Sequence, residues 1–158
     1  MQRVGFGYDV HRFVGGRRLV LGGIEVPHEL GLHGHSDADV VTHAVIDALL
    51  GAAALGDIGS HFPSSDPQYE GISSLELLRR TAKLLEREGW ALVNVDITAV
   101  LERPRLTPYA ERMRSSLAQA LGAGKDQVSV KAKTTDGLGS TGRGEGIAAY
   151  AVAMLERP

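Results

Sequence analysis

One segment, residues 37–55, constrains the fold of this chain more than any other. Val40, Val41, Ala44, Val45, Ala48, Leu49 and Ala52 recur at helical spacing, the signature of a helix with one apolar face pressed on a partner. Ser36 or Asp37 is placed to cap its N-terminus. The run Gly56-Asp57-Ile58-Gly59 ends it. Such a face needs a sheet or other helices to cover it, and the flanking segments read as strands. Residues 3–10 form a short strand thinned on one side by Gly5 and Gly7. Residues 18–26 form a second, with Gly22-Gly23 marking a bulge or bend. Residues 27–37 hold too many Gly and His for regular structure and read as an irregular loop.

Past the first helix, residues 61–71 form a polar loop with Pro63 and Pro67. Ser73 opens a second helix, Glu76 completes a capping box, and Gly89 ends it. Residues 91–101 alternate as a strand. Thr107-Pro108 starts a third helix, with proline at its first position, which ends at Gly122. Residues 127–133 are a strand, and residues 146–155 fit strand or helix equally by pattern. The resulting order, with strands before, between and after the helices, predicts one α+β domain over residues 1–158. A ferredoxin-like arrangement is expected, with helices packed on one face of a mixed or antiparallel sheet. Apolar residues make up 43% of the chain, enough for a single core.

The formal net charge of -2 argues against a nucleic-acid partner, which needs a basic face. There is no cysteine, so any metal is held by His, Asp or Glu. The opening residues MQRVGFGYDVHRF lack the apolar centre of a signal peptide. The longest apolar run, 48–55, is broken at Gly51 and falls short of a bilayer span. A cytoplasmic protein with no membrane partner is expected.

Four groups of residues can carry chemistry. Asp9 and His11 lie two apart in a strand and point to one face, where they can grip one cation; a surface ion pair is the plainer reading. Asp39, His43 and Asp47 share one helix face beside the apolar stripe. His43 could complete the site with Asp9 and His11, since one carboxylate and two imidazoles with an open position describe catalytic zinc. Asp39 or Asp47 could then orient an imidazole, or the three residues could simply form a solvated ladder. His35 and Ser36 sit before a helix N-terminus, where backbone N–H groups favour an anion; a capping segment explains them equally well. Gly137, Gly139 and Gly142 match a dinucleotide fingerprint, but Arg143-Gly144-Glu145-Gly146 prolongs the loop where that motif needs a helix. A glycine-rich turn remains, edged by the donors Lys133, Thr134, Thr135 and Arg143 and suited to phosphate. These residues alone also allow a metal-dependent phosphohydrolase or a binding module with a structural ion.

GYDVHRF at 7–13, GHSDADVVTHAVIDALLGAAALGDIG at 34–59 and TTDGLGSTGRGEGIA at 134–148 together resemble the signature blocks of the 2-C-methyl-D-erythritol 2,4-cyclodiphosphate synthase family. The resemblance implies a homotrimer with active sites between neighbouring chains. It implies cyclisation of 4-diphosphocytidyl-2-C-methyl-D-erythritol 2-phosphate with loss of CMP. Asp9, His11 and His43 would hold one Zn²⁺ per subunit, with Mg²⁺ or Mn²⁺ bridging the substrate diphosphate. His35 and Thr134 would align and polarise the reacting phosphates. Asp9, His11 and Ser36 would contact substrate, as would Asp57, Ile58 and Gly59. So would Phe62, Pro63, Ser64, Ser65 and Asp66. Leu101, Glu102, Arg103, Pro104, Arg105, Leu106 and Thr107 of a neighbouring chain would hold the cytidine diphosphate, with Lys133, Thr134, Thr135 and Asp136. Arg143 would reach phosphate or the trimer axis. Ser64, Ser140 and Asp136 stand where that family more often has an acidic residue, an aromatic residue and Glu.

Overall fold

The structure, a computed structural model, describes residues 1–158. Strands β1 (Gln2–Val14), β2 (Leu19–Leu21), β3 (Ile24–Val26) and β4 (Gly31–Leu32) lead into helix α1 (Val40–Ala52). A single-turn helix α2 (Ile58–His61) and a 3-10 turn (Pro67–Tyr69) precede α3 (Ser74–Arg87) and β5 (Ala91–Val100). Helix α4 (Ala110–Leu121), β6 (Val128–Lys133), the short α5 (Gly139–Gly142) and β7 (Gly146–Glu156) complete the chain. Five strands form one sheet in the order β4-β1-β7-β5-β6, and β2 and β3 form a separate hairpin. The β5–β6 pair is parallel and the other pairs are antiparallel, so the sheet is mixed as expected. The helical crossover that a parallel pair requires is supplied by α4.

The segment that pattern left open, 146–155, is the central strand. β7 pairs with β1 on one side and β5 on the other. Ala149, Ala151 and Ala153 point into the core while Tyr150 and Val152 are exposed. Alanine favours helix in isolation; ladders on both edges override that preference here.

The contact that places the site is α1 on β1. Gly5 and Gly7 face the helix, and a Cβ on either would stand 1.9 Å from the carbonyl oxygen of Ala48 or Ala44. The strand has no side chain there, so the helix backbone lies directly on it. Strand alternation then aims Asp9 and His11 at the next turn of the same helix, where His43 sits. One core of 34 buried residues fills the helix side. On the opposite face Val4, Phe6, Tyr8, Val10, Tyr150 and Val152 are exposed.

Several expectations are corrected. Residues 18–26 are a hairpin rather than one strand, because Gly22 and Gly23 take φ of 57° and 74° and reverse the chain. The loop 27–37 contains β4, which pairs Leu32 with Phe13. Helix α1 is capped by neither Ser36 nor Asp37 but by Asp39, whose carboxylate accepts the Thr42 N–H. That buried carboxylate also accepts from the N–H groups of Gly22 and Gly23, pinning the hairpin to the helix. Ser73 makes no side-chain cap bond, so the capping box is absent; Glu76 pairs with Arg79 and Arg80 instead. The third helix opens with a 3-10 turn, Thr107–Tyr109, and ends as expected at a left-handed Gly122. The ferredoxin-like expectation fails: that fold alternates β-α-β-β-α-β, whereas α4 here lies between β5 and β6, which pair in parallel.

Candidate metal centre and phosphate site

Asp9 and His11 on β1 and His43 on α1 bring one carboxylate oxygen and two imidazole nitrogens within 4.8 Å of one another. Asp9 Oδ2 stands 2.8 Å from His11 Nε2 and 3.1 Å from His43 Nδ1. The far nitrogen of each ring is also taken. His11 Nδ1 donates to the His33 carbonyl at 2.6 Å, and His43 Nε2 meets the hydroxyls of Ser74 at 2.8 Å and Ser36 at 3.2 Å. The inner nitrogens therefore aim at one point with their rings held from behind, as in metal sites whose imidazoles are oriented by outer partners. Asp9 side-chain exposure of 27% leaves an approach from solvent. A cation with hard and borderline ligands and an open coordination position fits this donor set.

Charge supports the geometry. Burial works against an ionised Asp9, but hydrogen bonds and charges from His11 and His43 outweigh it and hold its pKa down at about 2. Burial likewise disfavours a charged His11, yet Asp9 and the His33 carbonyl carry its pKa above the ordinary 6.5. Both His11 nitrogens face acceptors, the His33 carbonyl and the Asp9 carboxylate, which favours the protonated ring.

Around the triad lie most of the residues expected to contact substrate. Gly34 packs so tightly that a Cβ would meet His11 Cε1 at 3.2 Å and Ala38 Cβ at 2.9 Å, and it brings the His35-Ser36 loop against the centre. His35 Nε2 stands 3.2 Å from the Asp66 carbonyl, which ties the 62–66 turn to the same place. Phe62 holds that turn by an edge-on contact with Tyr69, ring centres 5.6 Å apart. Asp47, one helical turn beyond His43, accepts the Ile58 N–H at 2.7 Å and so fixes residues 57–59. Asp57 itself caps α2 through the N–H of Ser60. A cleft of about 440 Å³ runs from His11 and His33 to Ser140, Thr141 and Glu145. A larger cavity lies between α3 and α4 beside Trp90 and contains no metal-ligating cluster.

The remaining residues form a second cluster. The Leu101 N–H donates to the Lys133 carbonyl, and the Glu102 carboxylate accepts from the N–H groups of Thr135 and Gly137. Residues 101–102 are thereby tied to 133–137 at the end of β5 and β6. Asp136 adopts φ 60° there, a conformation that Asp tolerates better than most residues. Thr134 is exposed, and Arg143 is paired with Glu145. Val10 aligns across β7 and β5 with Lys133 through Ala148 and Val100, so the two clusters share one end of the sheet. Three strand spacings, roughly 14 Å, separate them within the chain.

Sequence reasoning missed three participants. Neither Ser74, whose hydroxyl meets His43, nor Arg17, which donates to the carbonyls of Gly34 and Ser36, is singled out by the sequence, and Asp37, which bonds Ser74, is offered only as a cap and part of the loop before the helix. Their roles depend on contacts between residues far apart in the chain, and no local pattern announces them.

The sequence profile of the YgbB family matches residues 2–156. A protein of Syntrophomonas wolfei named 2-C-methyl-D-erythritol 2,4-cyclodiphosphate synthase is 60% identical over 155 residues, covering 98% of this chain and 99% of that one. A solved structure of 2C-methyl-D-erythritol-2,4-cyclodiphosphate synthase in a CDP-bound form superposes with a TM-score of 0.89 at 37% identity, covering 98% of this chain and 100% of the other. The bifunctional IspDF from Campylobacter jejuni superposes with a TM-score of 0.96 at 37% identity; all of this chain is covered but only 43% of that one.

Proposed function

The chain belongs to the YgbB family, and from that premise we infer its reaction: it converts 4-diphosphocytidyl-2-C-methyl-D-erythritol 2-phosphate to 2-C-methyl-D-erythritol 2,4-cyclodiphosphate with release of CMP. The observation that carries this reading is the meeting of Asp9, His11 and His43 at one open point beside the His35 loop. In the reaction an oxygen of the 2-phosphate attacks the β-phosphorus. The bond from that phosphorus to the bridging oxygen of the α-phosphate breaks, and CMP leaves with the electron pair.

Charge repulsion between phosphates is the main obstacle, and the nucleophile is already an anion, so no strong base is needed. That agrees with a site of metal ligands and donors rather than a nucleophile–base pair. Asp9, His11 and His43 would hold Zn²⁺, which when bound supplies Lewis-acid stabilisation of phosphate charge. A second divalent cation, Mg²⁺ or Mn²⁺, would arrive on the substrate diphosphate. His35 donates to a reacting phosphate and orients it. Ser36, the 57–59 segment and the 62–66 turn enclose the erythritol part and bring both phosphates together, which supplies proximity. Leu101 to Thr107 and Lys133 to Asp136 hold the cytidine diphosphate, with Thr134 at the phosphate end. We read residues 1–158 as one catalytic domain.

The working assembly we propose is a homotrimer. Two features support it. The exposed apolar face of β1 and β7 is of a kind that monomers rarely leave uncovered. The separation of the two clusters within one protomer is resolved if the cytidine-binding cluster of one chain serves the metal centre of the next. No helix is long and apolar enough to cross a membrane, and a small-molecule substrate in the cytoplasm suits the reaction.

Turnover in ¹⁸O-labelled water with Zn²⁺ and Mg²⁺, followed by ³¹P NMR and mass spectrometry, tests the reading. Unlabelled cyclic diphosphate with CMP is expected. A labelled, ring-open phosphate would mean that water is the nucleophile and that the enzyme is a hydrolase.

A further inference from the structure

We propose that Arg17 is a positioning residue for His35, an inference that rests on the role given to His35 above. The loop 33–36 between β4 and α1 has no ladder of its own, yet each of its carbonyls has a donor. His33 O accepts from His11 Nδ1 at 2.6 Å, and His35 O accepts from the Gly71 N–H at 2.8 Å. The other two belong to Arg17: Nη1 donates to Gly34 O and Nη2 to Ser36 O, each at 2.6 Å. One guanidinium therefore grips the peptide carbonyls on both sides of His35.

The consequence is mechanical. The 34–35 peptide plane is held by Arg17, the 35–36 plane by the Gly71 N–H and the 36–37 plane again by Arg17, so the direction of the His35 Cα–Cβ bond is fixed and only side-chain rotation is left to the imidazole. A loop residue that must meet a phosphate within hydrogen-bond reach gains most from such a restraint, because small misplacements cost rate steeply. Arg17 is half-buried and joins none of the ion pairs of the chain. Its charge is not spent on a carboxylate partner. A planar fork can span two carbonyls at once, whereas a lysine ammonium is a single point of donation.

A double-mutant cycle on the zinc-loaded, full-length enzyme tests this. Arg17→Met keeps the apolar stem and removes the donors; Arg17→Lys keeps the charge and removes the fork. Both should lower kcat by about 10- to 100-fold, with zinc content, melting temperature and oligomeric state near those of the parent. Millimolar guanidinium ion should restore part of the rate to Arg17→Met and none to Arg17→Lys. In a His35→Ala background, Arg17→Met should cost less than about 2-fold, since the residue it positions is gone. An undiminished loss in that background, or full activity of Arg17→Lys, overturns the proposal. The parent enzyme controls the underlying reading separately: no CMP from it defeats the cyclisation, and a fully active His35→Ala defeats the role of His35, whatever the Arg17 variants do.

Discussion

The hydroxyl oxygen of Ser74 lies 2.8 Å from Nε2 of His43. The same hydroxyl donates to Asp37 Oδ1 at 2.5 Å, and the Ser74 N–H bonds the other Asp37 oxygen at 3.1 Å. Its proton is thus committed to the carboxylate, and it must accept from His43. That places a proton on Nε2 and leaves Nδ1, 3.1 Å from Asp9 Oδ2, as the nitrogen open to a cation. An Asp37–Ser74–His43 chain, joining the N-terminal ends of α1 and α3, sets the tautomer of His43.

Replacement of Ser74 by Ala should therefore weaken zinc binding by about 10- to 100-fold, the usual cost of losing such a support. Chelator competition on the purified protein measures it. Thr at this position should recover most of the affinity, because it restores the hydroxyl. Unchanged zinc affinity in the Ala variant would show that the ring needs no outer partner.

Zinc affinity should rise with pH through the window in which His11 loses its proton. Asp9 raises the His11 pKa above 6.5, so below that range a proton occupies the ligating nitrogen and competes with metal. In the metal-free chain the sign is opposite: the raised His11 pKa adds stability that is complete below 6.5 and fades as pH climbs through the folded value. The Asp9 contribution, with its pKa lowered from 3.8 to about 2, is present above 3.8 and is lost as pH falls toward 2. Competition titrations between pH 5.5 and 8 and unfolding curves of the metal-free protein read the two trends. Affinity that is flat across that range would contradict the pairing.

Gly7→Ala should destabilise the fold and damage the site together. Its Cβ would meet the Ala44 carbonyl oxygen at 1.9 Å, and relief requires α1 to lift from β1. A loss on the order of 3 kcal/mol is expected for such overpacking, measured by urea unfolding. Because His43 rides on the lifted helix, zinc affinity should fall with stability. Loss of stability with full retention of zinc affinity would mean that the strand, and not the helix, gives way.

Charge placed on the bare face of the sheet should dissociate the proposed trimer. Tyr150 lies between Phe6 and Tyr8, with ring centres 6.2 and 5.1 Å away. Phe6→Asp or Tyr150→Asp should turn a sedimenting trimer into monomers that still bind zinc but turn over substrate at least about 100-fold more slowly, since proximity of the two clusters is lost. A trimer that survives both substitutions would place the interface elsewhere.

Much of the site was legible because the chain carries the ligands at strand and helix spacing. Asp9 and His11 share a strand face, and His43 follows a readable apolar stripe. The Gly22-Gly23 reversal, the capping by Asp39 and the strand at 146–156 were not. A lone segment does not say which acceptor its donors will find, nor whether both of its edges will be paired. The ferredoxin-like expectation failed for the same reason: strand order depends on which edges meet.

The sequence by itself determined the element types where one residue pattern dominates, the donor chemistry available to a metal, and, through long motif blocks, the family. Tertiary structure alone decided that α1 lies directly on Gly5 and Gly7, so that His43 reaches Asp9 and His11. It alone decided that Arg17 reaches the carbonyls of Gly34 and Ser36 and Ser74 reaches His43, and that the cluster of residues 101–107 and 133–137 stands apart from Asp9, His11 and His43 within one chain. Spacing along a chain governs which side chains share a face, but contacts between distant segments are set by packing in three dimensions, and a periodic pattern carries no record of its partner.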